Sequence, residues 1–234
     1  MQGNIHSIET MGLLDGPGIR VVVFLQGCPL RCLFCHNPET WDKEEKTLMT
    51  PEELVAFVLK YKNYFNENGG VTFSGGEPLM QSKFLLESLK LCKENSINTC
   101  LDTSGFGNDN IDEILEYTDL IIFDIKDVDD KGYLKMTGQD ISDSLNFLKL
   151  CQKKNKKLWL RQVIIPTIND TEEYILRLKQ FVSSINNVEK IELLPYHLLG
   201  VSKYDKLNMP YRLNGIDSMN KKRCEELYNV LISD

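Results

Sequence analysis

The stretch QGCPLRCLFCHN, residues 26–37, decides how the rest of the chain is read. Three of the chain's seven cysteines, Cys28, Cys32 and Cys35, fall in it with the spacing C-x3-C-x2-C. Structural metal sites usually take four protein ligands, and no fourth is obvious here. One reading is zinc held by Cys28, Cys32, Cys35 and His36, but zinc sites favour cysteine pairs separated by a longer loop. The adjacency of Cys35 and His36 makes tetrahedral closure awkward. A second is an iron–sulfur electron carrier, which needs one more thiolate. Cys92, Cys100, Cys151 and Cys224 are scattered over apparent helices and a strand, where free cysteine acts as a small buried hydrophobe. Buried thiols without metal fit poorly with a loop rich in Gly, Pro and Arg. The fourth reading is a four-iron, four-sulfur cluster on three thiolates, one iron left open for a ligand carrying an amine and a carboxylate.

Working outward, the loop follows IRVVVFLQ (19–26), a continuous β-branched run that reads as a buried strand. Five more such runs follow: VTFSG (71–75), INTCLDT (97–103), LIIFDIK (120–126), LWLRQVIIP (158–166) and KIELLPY (190–196). Amphipathic helical segments alternate with them. The clearest start is Thr50-Pro51 with Glu53, a capping box, followed by Leu54, Phe57, Val58, Tyr61 and Phe65 at helical spacing. Strand-then-helix units in series predict a parallel α/β sheet, either open and doubly wound or a partial barrel. The absence of linkers or repeats in the 234 residues predicts a single domain, 1–234.

Polar and glycine clusters recur at the C-terminal ends of these strands: Ser74-Gly75-Gly76-Glu77, Asp102-Thr103-Ser104, Asp124 with Lys126, Arg161, and His197. In parallel α/β folds that rim carries the active site. Each residue also has a plainer reading. Gly75-Gly76 makes a tight turn; the aspartates cap helices; Arg161 pairs with one of them; His197 simply packs.

Composition narrows the function classes. A formal charge of −7 argues against a nucleic-acid surface. The basic run KKNKK (153–157) reads as cations at a helix end. No apolar run is long enough to span a membrane, and no signal peptide is visible among the first residues. Seven cysteines without a secreted-scaffold spacing predict a reducing, cytoplasmic setting.

C-x3-C-x2-C with Phe34 before the third cysteine resembles the signature of the radical S-adenosylmethionine (SAM) enzymes. LDGPGIR (14–20), CHNPETW (35–41), SGGEP (74–78), LDTSG (101–105), DIK (124–126) and LLPYHLLG (193–200) resemble the activases of glycyl radical enzymes within that family. The resemblance implies a partial (β/α)6 TIM-like barrel. It implies a 4Fe-4S cluster on Cys28, Cys32 and Cys35, with S-adenosyl-L-methionine chelating the open iron. Phe34, Cys35, His36, Gly76, Asp124, Ile125, Lys126 and His197 would contact the cosubstrate. Asp102, Thr103 and Asp124 would hold a monovalent cation. Beyond the cluster and its ligands, no catalytic residue is implied. Asp15 and Arg20 are candidates for the partner's glycine loop, or else belong to a turn entering the first strand.

The chemistry so implied is reductive cleavage of SAM to a 5′-deoxyadenosyl radical, which takes a glycine Cα hydrogen from pyruvate formate-lyase. Reduced flavodoxin or ferredoxin would supply the electron. Related activases often insert a ferredoxin-like domain, but only residues 37–49 separate His36 from Thr50, without further cysteines. Anaerobic ribonucleotide reductase activases are shorter. An activase of another glycyl radical enzyme is the alternative within the class.

Overall fold

The computed structural model describes residues 1–107 and 109–233. All the expected strands form, as β2 (Arg20–Leu25), β4 (Gly70–Gly75), β5 (Asn98–Thr103), β6 (Leu120–Ile125), β7 (Lys157–Ile164) and β8 (Val188–Pro195). They pair in parallel in that order. Two further strands, β1 (Gly3–Gly12) and β3 (Thr47–Met49), extend the sheet antiparallel beyond β2 and were not expected from sequence. The final order is β3-β1-β2-β4-β5-β6-β7-β8, with the ends unpaired, so the sheet is open.

Helices α1 (Pro51–Leu59), α2 (Ser82–Glu94), α3 (Ile111–Glu116), α5 (Ser142–Lys153), α6 (Glu172–Ser183) and α8 (Lys221–Ile232) cover the sheet's outer face, whereas α4 (Asp130–Thr137) and α7 (Val201–Lys206) pack against the segment that carries the cysteines. The Thr50 capping box is present: Glu53 N–H donates to Thr50 Oγ1 at 3.2 Å, and Thr50 N–H donates to Glu53 Oε2 at 2.8 Å. The α-helix ends at Leu59, however, and Tyr61 and Phe65 flank a separate 3-10 turn. Leu54, Val58, Leu85 and Leu89 pack with Val21, Val23, Val71, Phe73, Leu101 and Ile121 in the main core. Each such side chain contributes about 1.5–3 kcal/mol by leaving water.

Strand alternation turns the neighbouring residues to the other, inner face. That face is polar where it matters: Thr72, Ser74, Asp102, Asp124 and Arg161 stand there, over a small apolar floor of Cys100, Leu120, Ile122 and Trp159. Three of the four KKNKK lysines are spent locally. Lys154 pairs with Asp112 and Glu116, Lys156 donates to Thr118 O, and Lys157 pairs with Glu189.

Candidate active site

The cysteine loop is stapled to α4, a helix that sequence reasoning overlooked. Arg31 N–H donates to Thr137 O (2.7 Å), Leu33 N–H to Met136 O (2.9 Å), and Gln139 Nε2 to Pro29 O (3.1 Å). Cys32 is buried beside Leu30, Tyr133 and Ile141, while Cys28 and Cys35 are half-buried. Burial pushes the Cys32 thiol up to about 11 and raises Cys28 and Cys35 as well. A thiolate in this setting needs compensating positive charge, which iron supplies.

The three cysteines form one wall of a cavity of about 290 Å3. Among the described residues no group of three or more Cys, His, Asp or Glu side chains closes on an ion-sized site. Thiols lining a cavity wall suit a polynuclear cluster, and among the described residues no fourth cysteine lines that cavity. The donor set therefore fits the expected group.

Phe34, His36, Gly76, Asp102, Thr103, Asp124, Lys126 and His197 line the same cavity. His197 follows β8, whereas the cysteines follow β2, so strands far apart in the order meet across one space. Only a curled sheet brings them together. Ile125 is the exception: alternation turns it into the outer core, and its side chain does not reach the cavity.

On the floor, Lys126 Nζ donates to Asp124 Oδ2 at 2.8 Å and lies 5.5 Å from the Phe34 ring centroid. Ser74 Oγ donates to Asp102 Oδ2 at 2.8 Å, and Arg161 approaches that oxygen at 3.8 Å. Asp102 Oδ1 is buried with no hydrogen-bond partner. Burial first, then the charge of Asp124, push Asp102 up to about 7 against the pull of Arg161. An acceptor left bare in this way suits a cation or a ligand donor. The Thr103 hydroxyl, by contrast, is committed: it donates to Glu77 Oε1 at 2.5 Å and accepts from Gly105 N–H at 2.8 Å.

Glu77 organises the rim between β4 and β5. Its buried carboxylate accepts from Thr103 Oγ1, Ser104 N–H (3.0 Å), Ser104 Oγ (2.6 Å) and Leu79 N–H (3.2 Å). The preceding glycines have structural causes. Gly75 sits at φ +113, and a Cβ on Gly76 would lie 2.3 Å from Gly27 O. Gly76 is thus required where the β4 turn meets the cysteine loop, whatever it offers a ligand.

Arg20 is not at this end of the sheet. It begins β2, is fully buried, and donates to Thr72 Oγ1 (2.7 Å), Val71 O (2.8 Å), Pro17 O (3.0 Å), Asn98 Oδ1 (3.0 Å), Asn68 O (3.1 Å) and Asn98 O (3.4 Å). A guanidinium so occupied ties together the N-terminal ends of three strands and cannot reach a partner. Asp15 is held nearby through its carbonyl, which accepts from Thr72 Oγ1 at 2.6 Å.

Sequence reasoning also missed Trp41 and Tyr204. Trp41 Nε1 donates to Cys35 Sγ at 3.2 Å, and Tyr204 Oη donates to Cys35 O at 3.0 Å. Trp41 closes the CHNPETW motif, which marked its importance but not its role.

The chain matches the family model described as Radical SAM superfamily over residues 22–178. It is 51% identical to the pyruvate formate-lyase-activating enzyme of Clostridium pasteurianum, covering 99% of this chain and 98% of that protein. The corresponding enzyme of Staphylococcus epidermidis is 43% identical, over 99% of this chain and 96% of that protein. This chain belongs to the radical SAM superfamily, among its pyruvate formate-lyase-activating enzymes. The fold is shared more widely than the sequence: the crystal structure of QueE from Escherichia coli superposes with a TM-score of 0.58 at 19% identity, covering 89% of this chain and 92% of that one. That likeness concerns the fold alone.

Proposed function

We propose that this radical SAM chain is the oxidoreductase that activates pyruvate formate-lyase by placing a glycyl radical on it. The observation that carries the reading is the three-thiol wall facing an open cavity, in a chain 51% identical to an enzyme of that name. When bound, the 4Fe-4S cluster and S-adenosyl-L-methionine supply one-electron cleavage to a 5′-deoxyadenosyl radical, which takes a hydrogen atom from a glycine Cα.

The chain's own residues hold and shield. Cys28, Cys32 and Cys35 would ligate the cluster. Phe34 and His36 flank the third cysteine and, with His197, would wall the cosubstrate. Gly76 and the Asp124–Lys126 pair would meet its polar groups, and Ile125 would take part only through its backbone. Asp102 and Asp124 would hold a monovalent cation, with Thr103 contributing its backbone rather than its hydroxyl. No side chain is asked to move a proton. Hydrogen-atom transfer needs instead a closed site that keeps water and stray donors away.

The single open sheet, uninterrupted between His36 and Thr50 by another domain, supports one radical SAM domain over residues 1–234 without a ferredoxin-like insert. Reduced flavodoxin or ferredoxin is the proposed electron donor. Among the described residues no helix is long and apolar enough to cross a membrane, and every described cysteine is a free thiol. Both features agree with work in a reducing cytoplasm.

Anaerobic reconstitution followed by reduction with SAM tests the reading. Four irons and four sulfides per chain, with 5′-deoxyadenosine and methionine released in equal amounts, are expected. One equivalent of zinc and no sulfide, or a Cys32→Ala variant that still cleaves SAM fully, would overturn it.

A further inference from the structure

Trp41 is held with unusual care for a residue outside the cysteine motif. Its ring is nearly buried and meets Tyr204 edge to face, with centroids 5.8 Å apart. The Arg31 guanidinium lies over the ring, 5.0 Å from the centroid. Its backbone is fixed by the Pro38–Thr40 turn, where Trp41 N–H donates to Pro38 O at 3.1 Å and Thr40 Oγ1 donates to Asn37 O at 2.8 Å. All of this aims the indole Nε1–H at Cys35 Sγ, 3.2 Å away.

Indole nitrogen is a donor and nothing else, so its contact with sulfur has one direction. A hydrogen bond to a ligating thiolate withdraws electron density from the sulfur. It therefore stabilises the more negative, reduced state of a cluster and raises its potential. The cation above the ring polarises the indole further and makes the N–H a stronger donor. Arg31 also donates to Cys28 O at 2.6 Å and Leu30 O at 2.9 Å, so one side chain braces both the loop and the indole.

The geometry points to Trp41 as the residue that tunes the cluster's reduction potential, by donating its indole N–H to the Cys35 sulfur while Arg31 stacks on its ring. It is a positioning residue, since it acts through Cys35 and touches no reacting atom. The role gives Trp41 a task in a loop that otherwise ligates and turns: reduction by an external protein must remain within reach, yet the reduced cluster must still deliver its electron.

This inference rests on the cluster reading above, and its test separates the two. Wild type and Trp41→Phe are reconstituted anaerobically and checked for equal iron and sulfide. Their midpoint potentials are then titrated with detection by electron paramagnetic resonance, without SAM. At the wild-type midpoint, Trp41→Phe is expected to show a reduced-to-oxidised ratio lower by about three- to tenfold. Tenfold corresponds to about 59 mV for one electron. Trp41→His, which restores an N–H, should recover part of the shift; a change in packing alone would give no such recovery. Should Trp41→Phe not retain its cluster, the wild type labelled with nitrogen-15 in indole still decides. Hyperfine coupling of the reduced cluster to one indole nitrogen, kept in a labelled Trp159→Phe chain, is expected. Equal midpoints with full cluster load, or no indole coupling, would overturn the inference and leave the proposed function standing. Absence of iron and sulfide in wild type would remove both.

Discussion

The rings of His36 and His197 meet edge to face, with centroids 4.9 Å apart and planes at 84°. One comes from the cysteine loop and the other from the end of β8, so the contact closes the curled sheet where the cavity opens. Edge-to-face aromatic pairs contribute about 0.5–1.5 kcal/mol beyond area burial. His197→Ala should therefore weaken SAM binding several-fold while leaving iron and sulfide unchanged. Isothermal titration of the reconstituted chain measures this. Unchanged affinity would remove His197 from the cosubstrate wall.

Glu77 accepts four hydrogen bonds inside the protein, and its loss would leave Thr103, Ser104 and Leu79 donors stranded. Glu77→Ala is expected to lower stability by roughly 3 kcal/mol, in line with breaking a buried network around a charge. Urea unfolding of the reconstituted protein gives the value. A loss confined to SAM binding, with stability intact, would instead make Glu77 a ligand.

Arg20 offers a sharper contrast. As a buried staple its replacement by Leu should cost stability, by roughly 3 kcal/mol or more, because several carbonyls lose their donor together. The same variant at low temperature, where it remains folded, should bind the partner's glycine loop normally. A raised KM for the partner with undiminished stability would restore the partner-contact reading.

Asp119 gives the fold a pH dependence away from the cavity. Burial pushes its carboxyl up, but the ion pair with Lys93 and the bonds from Thr99 N–H (2.9 Å) and Thr99 Oγ1 (3.2 Å) outweigh this and leave it below its ordinary 3.8. A depressed carboxylate stabilises the folded state above its unfolded pKa, and that contribution disappears as pH falls through the folded value. Asp119→Asn should thus be less stable than wild type at pH 7, by on the order of 1 kcal/mol for so exposed a pair, and the gap should narrow as the pH falls below the ordinary carboxylate value. Denaturant midpoints followed from pH 7 downward check both halves.

Strands β2, β4 and β6 were legible because both of their faces are largely buried, so each reads as a near-continuous apolar run. β1 escaped notice: from His6 to Met11 its residues alternate between half-buried and exposed positions, and GNIHSIETMG carries little apolar signal beyond Ile5 and Ile8. α4 is short, glycine-containing and polar, yet it holds the cysteine loop through Met136 and Thr137 carbonyls, which no side-chain pattern reveals. The cavity residues could be read because they end strands. The Ile125 side chain and the choice between the two readings of Arg20 were not legible, for complementary reasons. A motif gives adjacency, whereas strand alternation decides which neighbour faces inward, and strand direction decides which end a residue occupies.

The central claim is that the open position beside Cys28, Cys32 and Cys35 serves to make a glycyl radical on another enzyme. The most direct measurement mixes the reduced, reconstituted chain with SAM and pyruvate formate-lyase and records the electron paramagnetic resonance spectrum. A glycyl radical doublet that needs all three components, and that is lost when any of the three cysteines becomes alanine, is the predicted result. SAM cleavage without any glycyl signal on pyruvate formate-lyase would contradict the account, and a signal on a different glycyl radical enzyme would reassign its partner.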